Sequence, residues 1–216
     1  MAPLLLIITR MTTRRSLWLA LVLLSAGLPS RTKAEIAPAS ELVREMNLAR
    51  QQPAQYAAYL EERRATYRGK EGNRALEEAI RFLRSASPRQ PLALSPGMSR
   101  AAADHCAEQA GGGMSHRGRG GSNTGDRLNR YGRWGGRWGE NLSCGRSSAR
   151  EIVLALIIDD GLSSRKHRAN IFNPEFNYAG AAMGSHAQYR TICSMEFAGQ
   201  YAERGQSTSE PLMARN

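Results

Sequence analysis

The chain has 216 residues, a formal net charge of +11, 41% apolar and 6% aromatic residues. Those values fit one ordinary soluble domain plus a targeting segment, and three cysteines exclude a disulfide-dense scaffold. The first 34 residues hold five of the 30 basic and none of the 19 acidic residues, so the remainder carries only +6; a charge that small is a poor argument for a nucleic-acid partner.

Residues 1–34 read as a secretory signal peptide, with Met11 as a second start. Arg14 and Arg15 precede the apolar run Leu17 to Leu24, and Thr32-Lys33-Ala34 offers a cleavage site. The apolar run is shorter than the roughly 20 residues of a membrane span, which argues for export over an uncleaved anchor. The mature protein is then expected to be secreted or periplasmic, without a stable membrane anchor, and monomeric. Cys106, Cys144 and Cys193 allow at most one bridge. Cys144 and Cys193 both fall in strand-like stretches and make the favoured pair, with burial as small hydrophobes the equal alternative.

Helical spacing of Leu42, Val43, Met46, Ala49, Tyr56, Ala57 and Leu60 predicts a helix over residues 39–62 with a turn at Gln52-Pro53. After an exposed connection, a helix over residues 74–85 places Leu76, Ala79, Ile80 and Leu83 on one face. Ser95-Pro96 is an N-cap followed by proline at the first helical position. The helix it opens runs through Met98, Ala101, His105, Cys106 and Gln109 until Gly111, Gly112 and Gly113 stop it. His105 reads as a structural histidine on that helix.

Residues 117–138 are rich in arginine and glycine, with Trp134 and Trp138 near their end. An RNA-binding tract would look similar, but a single tract outside any nucleic-acid fold in an exported chain reads better as a flexible loop. A short helix near residues 126–131 and tryptophans packed beside the site complete that expectation. Ser148 and Glu151 form a capping box for an almost wholly apolar helix over residues 149–159. Asp159-Asp160-Gly161 end it at the pole where carboxylates are unfavourable, so a counter-charge is expected from Arg165, Arg168 or a bound cation. Residues 178–184 and 189–198 alternate as a hairpin, His186 falls in its turn, and residues 202–216 read as a disordered tail.

Three separate stretches carry groups that ligate cations or move protons: Ser115-His116-Arg117-Gly118, Gly139-Glu140-Asn141-Leu142, and Lys166-His167-Arg168-Ala169-Asn170-Ile171 after the two aspartates. No pair has a local metal spacing, so any site must be assembled by the fold. Two imidazoles with one or two carboxylates form a nitrogen–oxygen set suited to zinc or a similar divalent metal.

The order of these stretches over residues 39–201 resembles the CAP superfamily of cysteine-rich secretory, antigen 5 and pathogenesis-related proteins, in its bacterial secreted branch. The resemblance implies an α+β fold, a three-layer α-β-α sandwich, and a polar cavity lined by His116, Glu140, His167 and either Asp159 or Asp160. It also implies a divalent cation on His116 and His167, and a binding role toward a lipid, sterol or protein. The alternative is a secreted hydrolase, dependent on a metal or on a Ser–His–Glu set with Ser115 or Ser143.

Overall fold

The computed structural model of the chain describes residues 37–205. The expected signal peptide and residues 206–216 of the expected tail lie outside the described residues. No helix among the described residues is long and apolar enough to cross a membrane.

The first expected helix is two: α1 (Ala39–Gln51) and α2 (Pro53–Glu61), with Pro53 at the start of the second, where its missing N–H costs nothing. Next come α3 (Arg74–Ser85), the short β1 (Ala93–Leu94) and α4 (Pro96–Gln109). The Ser95 hydroxyl accepts the Met98 amide at 3.1 Å, as the sequence predicts. After α5 (Thr124–Tyr131) the chain enters β2 (Gly132–Cys144), then α6 (Ala149–Ile158), α7 (Lys166–Phe172), β3 (Tyr178–His186) and β4 (Arg190–Glu203).

The strands form one sheet in the order β1-β3-β4-β2, antiparallel except for β1 beside β3. Alternation divides its side chains between two faces. Ala179, Ala181, Cys193, Met195 and Phe197 join the large core built from α1, α2, α3, α6 and α7. Ala198 and Tyr201 turn the other way and meet Met98 and Ala101 of α4 and Leu128 of α5. The result is the expected α+β sandwich of three layers. α6 is buried along almost its whole length, as a helix apolar on all sides must be.

Four local expectations need correction. Residues 132–138 are strand, not loop: Gly132 to Gly135 pair with Glu203 to Gln200, and the register shifts at a bulge before Trp138. As an edge strand, β2 can carry exposed arginines and glycines that hide the usual alternation. β4 continues to Glu203, whose carboxylate accepts the Ser95 hydroxyl and the Gly97 amide, so residues 202 and 203 belong to the sheet rather than the tail. Glu151 binds Arg63 at 2.5 Å, leaving Ser148 a simple N-cap; the full capping box belongs to α5, between Asn123 and Asp126. The favoured cysteine bridge is not made, and all three thiols are free. Cys193 stands opposite Ser143, which puts Cys144 one register position off and on the other face of β2.

Two histidine–carboxylate pairs flank strand β2

The loop after α4 is pinned before it delivers His116. His186 Nε2 donates to the Gly113 carbonyl at 2.8 Å, and His105 Nε2 to the Ser115 carbonyl at 2.9 Å. Gln109 clamps Ser115 N and the Arg117 carbonyl. His186, expected to be an exposed turn histidine, is therefore a buried strut, and His105 is the structural histidine anticipated. The loop holds His116 so that Nδ1 lies 2.6 Å from Glu140 Oε1. The imidazole side chain is 61% exposed and that of Glu140 only 2%, so the pair joins solvent to the interior.

Beneath it lies a charged cluster. Arg127 of α5 is fully buried; it binds the second Glu140 oxygen and donates to the carbonyls of His116 and Ser122 at 3.3 Å. Directly across the sheet from Glu140 stands Glu196, also fully buried. Two carboxylates facing each other in a dry interior cannot both ionise. Burial, followed by the charge of Glu140, pushes Glu196 well above the usual carboxylate range and keeps it protonated. For Glu140 burial acts upward too, but the His116 hydrogen bond and the charges of Arg127 and His105 outweigh it and lower its pKa.

In the unfolded chain Glu196 ionises above about pH 4.3, whereas in the fold it does not. Stability is then lost as pH rises above that value, by up to about 1.4 kcal/mol per pH unit until the folded group ionises. Glu196→Gln, which mimics the protonated acid, is expected to be neutral near pH 4 and progressively stabilising between pH 5 and 7. Paired thermal melts check this; a melting difference that stays flat across that range would contradict a protonated Glu196.

The second pair forms where α6 ends. Asp159 adopts a left-handed conformation (φ 55°), which stops the helix and turns its carboxylate toward α7. That carboxylate accepts His167 N at 2.9 Å and His167 Nδ1 at 2.7 Å. Arg165 and Arg168 do not pair with the aspartates as expected. They donate to the carbonyls of Ile157, Ile158, Asp159 and Leu162, so cationic side chains satisfy the last turn of α6 directly. Their charges are matched by Glu71 and Glu78. Asp160 is engaged by the amides of Lys70 (2.5 Å) and Glu71 (3.0 Å), so Asp159 is the carboxylate that meets a histidine. Asn141 donates to the His167 carbonyl at 3.0 Å, and Asn170 to the Glu140 carbonyl at 3.2 Å, strapping α7 to β2.

Each imidazole thus commits Nδ1 to a carboxylate and leaves Nε2 without a hydrogen bond among the described residues. His167, Asp159 and Asp160 line a cavity of about 460 Å³ together with Ser143 and Met114. His116 and Glu140 line a second concavity of about 280 Å³ with Trp138 and Arg117. Among the described residues, no three His, Cys, Asp or Glu side chains converge as a ready metal cluster. Ser115 is held in the loop, its hydroxyl accepting the Arg117 amide.

Arg127 and Glu196 are the site residues that sequence reading misses. Glu196 left a trace: it is a lone charge amid Ile192, Cys193, Met195 and Phe197, where a buried strand tolerates none without a partner.

The profile of the cysteine-rich secretory protein (CAP) family matches residues 66–197. Among solved structures, an outer surface protein of Borrelia burgdorferi is similar at 15% identity and TM-score 0.43, over 51% of this chain and 78% of that one. An extracellular SCP-domain protein of Bacillus anthracis str. Ames is similar at 20% identity and TM-score 0.41, over 56% of this chain and 37% of that one. A cysteine-rich secretory protein of Staphylococcus aureus is similar at 15% identity and TM-score 0.35, over 57% of this chain and 36% of that one. The chain therefore spans little more than a third of the latter two. No curated protein matches. With more than half of its length under the family profile, the chain belongs to the cysteine-rich secretory protein (CAP) family.

Proposed function

We propose that this is an exported, secreted or periplasmic, binding module in which His116 and His167 are the candidate ligands for a divalent cation of the zinc class. The observation carrying the proposal is the matched state of the two rings. A carboxylate fixes Nδ1 of each, which sets the tautomer that leaves Nε2 as ligand. Glu140 and Asp159 act in this reading as orienting partners, and Asp160 holds the neighbouring loop. Bound there, the cation supplies a Lewis-acidic anchor for an oxygen of the ligand. A lipid, sterol or protein ligand is what the family suggests.

Metal analysis of protein purified without chelator tests the proposal. The wild type is expected to carry stoichiometric divalent metal, and His116→Ala/His167→Ala to lose it. Asp159→Asn should weaken affinity by about 10- to 100-fold through ring orientation alone. Metal-free wild type, or a double variant that keeps its metal, would sink it. The second reading, a secreted hydrolase, rests on Asp159 and His167 sharing a cavity with Ser143. It requires turnover that His167→Ala abolishes and His116→Ala spares.

A further inference from the structure

One wall of the concavity beside His116 takes no part in either histidine pair. It is the indole of Trp138, 37% exposed in a position where a side chain of that size would ordinarily be covered. The ring is held rather than loose. It packs edge-on against Trp134, with centroids 6.4 Å apart and planes at 78°. Trp134 Nε1 donates to the Gly125 carbonyl at 3.2 Å. A Cβ on Gly125 would come within 2.9 Å and 3.0 Å of the two indole nitrogens, so a bare residue at the start of α5 is what lets both rings seat. The arginine- and glycine-rich stretch, read from sequence as a flexible loop, thus fixes an aromatic platform.

Around that platform stand donors with unused capacity. Arg117 uses only Nη1, on the Gly121 carbonyl at 3.0 Å, and it pairs with no carboxylate among the described residues. Asn123 commits its oxygen to the Asp126 amide and leaves Nδ2 free. The concavity therefore offers one flat apolar face and hydrogen-bond donors at its rim, one of them a full positive charge. A pyranose ring has the complementary surface: a face of C–H groups that stacks on an indole, and oxygens around its edge that accept. A lipid tail would leave the donors unpaired, at a desolvation cost. A single-stranded nucleic acid also stacks on tryptophan, but it needs a basic groove tracking its backbone and successive aromatic platforms. Here one ring is available in a concavity of about 280 Å³.

We infer that this concavity is a saccharide subsite, in which a pyranose ring stacks on Trp138 while its oxygens accept from Arg117 and Asn123. The guanidinium selects sugars that carry a carboxylate. This names a ligand class for the binding module proposed above and shares its His116 wall, but it does not need the cation.

Trp134 and Trp138 are the only tryptophans beyond residue 34, so indole emission reads the site directly. Mature protein is titrated with the hexasaccharides of galacturonic acid, glucose and N-acetylglucosamine at up to millimolar concentration, with and without EDTA. The expected result is a saturable emission change, strongest with the galacturonate. By calorimetry, Trp138→Ala should weaken that binding about tenfold, and Arg117→Gln should remove the preference for the acidic sugar. Both variants should keep the wild-type circular dichroism spectrum and metal content. Saccharide binding that survives EDTA and the double-histidine variant supports the subsite even if the cation proposal fails. No saturable change with any sugar, or undiminished affinity in Trp138→Ala, overturns it while leaving the metal result intact. Quenching by oligothymidylate with no response to sugars overturns it in favour of base stacking.

Discussion

Arg127→Gln is expected to cost about 3–5 kcal/mol of unfolding free energy, enough to threaten the fold of an ordinary domain. Arg127 is fully buried and is the cationic partner of buried Glu140, with Glu196 close by. Glutamine keeps part of the hydrogen-bonding capacity but removes the charge, leaving a buried carboxylate whose remaining neighbours are His116, His105 and the Glu196 carboxyl. The same substitution withdraws the guanidinium from the carbonyls of His116 and Ser122, so the histidine loop loosens together with the core. Urea unfolding followed by circular dichroism measures the loss. Arg127→Met/Glu140→Met separates charge from packing: with both ions gone and the volume roughly kept, most of the stability should return. A single variant within about 1 kcal/mol of wild type would show that the cluster is wet and the burial argument wrong.

Much of the fold was legible because it is written in periodicities. The apolar stripe of α3, the continuous apolar run of α6 and the Ser95-Pro96 start of α4 are one-dimensional signals, and each element forms where its signal lies. β2 was half hidden. An edge strand needs only one partner, and the exposed Arg133, Gly136 and Arg137 break the alternation that a central strand must keep. The candidate site divides in the same way. His116, Glu140, Asp159 and His167 could be singled out as chemically able residues, and the fold joins them as two separate pairs. Which carboxylate serves which ring was not legible. That depends on the left-handed turn at Asp159, and on loop amides that occupy Asp160. The role of Arg127 depends on a cross-strand register, Glu140 opposite Glu196, that no local pattern encodes.

The second large effect is expected at Arg50, and it reaches the site by a different route. Arg50 lies in α1, is 1% exposed and has no carboxylate partner among the described residues. Its guanidinium instead gathers four carbonyls: Ile171 at 2.5 Å, Gln90 at 2.9 Å, Asn173 at 3.1 Å and Phe176 at 3.3 Å. Burial, with Arg89 adding to it, lowers its pKa to about 10, so the side chain stays charged at neutral pH. Those carbonyls belong to the last turn of α7, where the helix offers no further amide, the turn after it and the proline-rich stretch before β1. One cation at the C-terminal pole of α7 therefore anchors the helix that carries His167. Arg50→Met keeps the apolar stem but orphans the carbonyls of Ile171, Gln90 and Phe176, while that of Asn173 retains only the Phe176 amide at 3.5 Å. Hydrogen bonds to a charged donor contribute about 1.5–3 kcal/mol each and do not simply add, so a loss of about 3 kcal/mol or more is expected. Arg50→Lys should fall between the two, because an ammonium cannot span all four acceptors as a planar fork does. Hydrogen exchange localises the effect: amides of residues 171–177 should lose protection before those of β3 and β4, and the proposed cation affinity should fall with them. Uniform loss of protection across the domain would mean that Arg50 supports the core generally and does not set the position of His167.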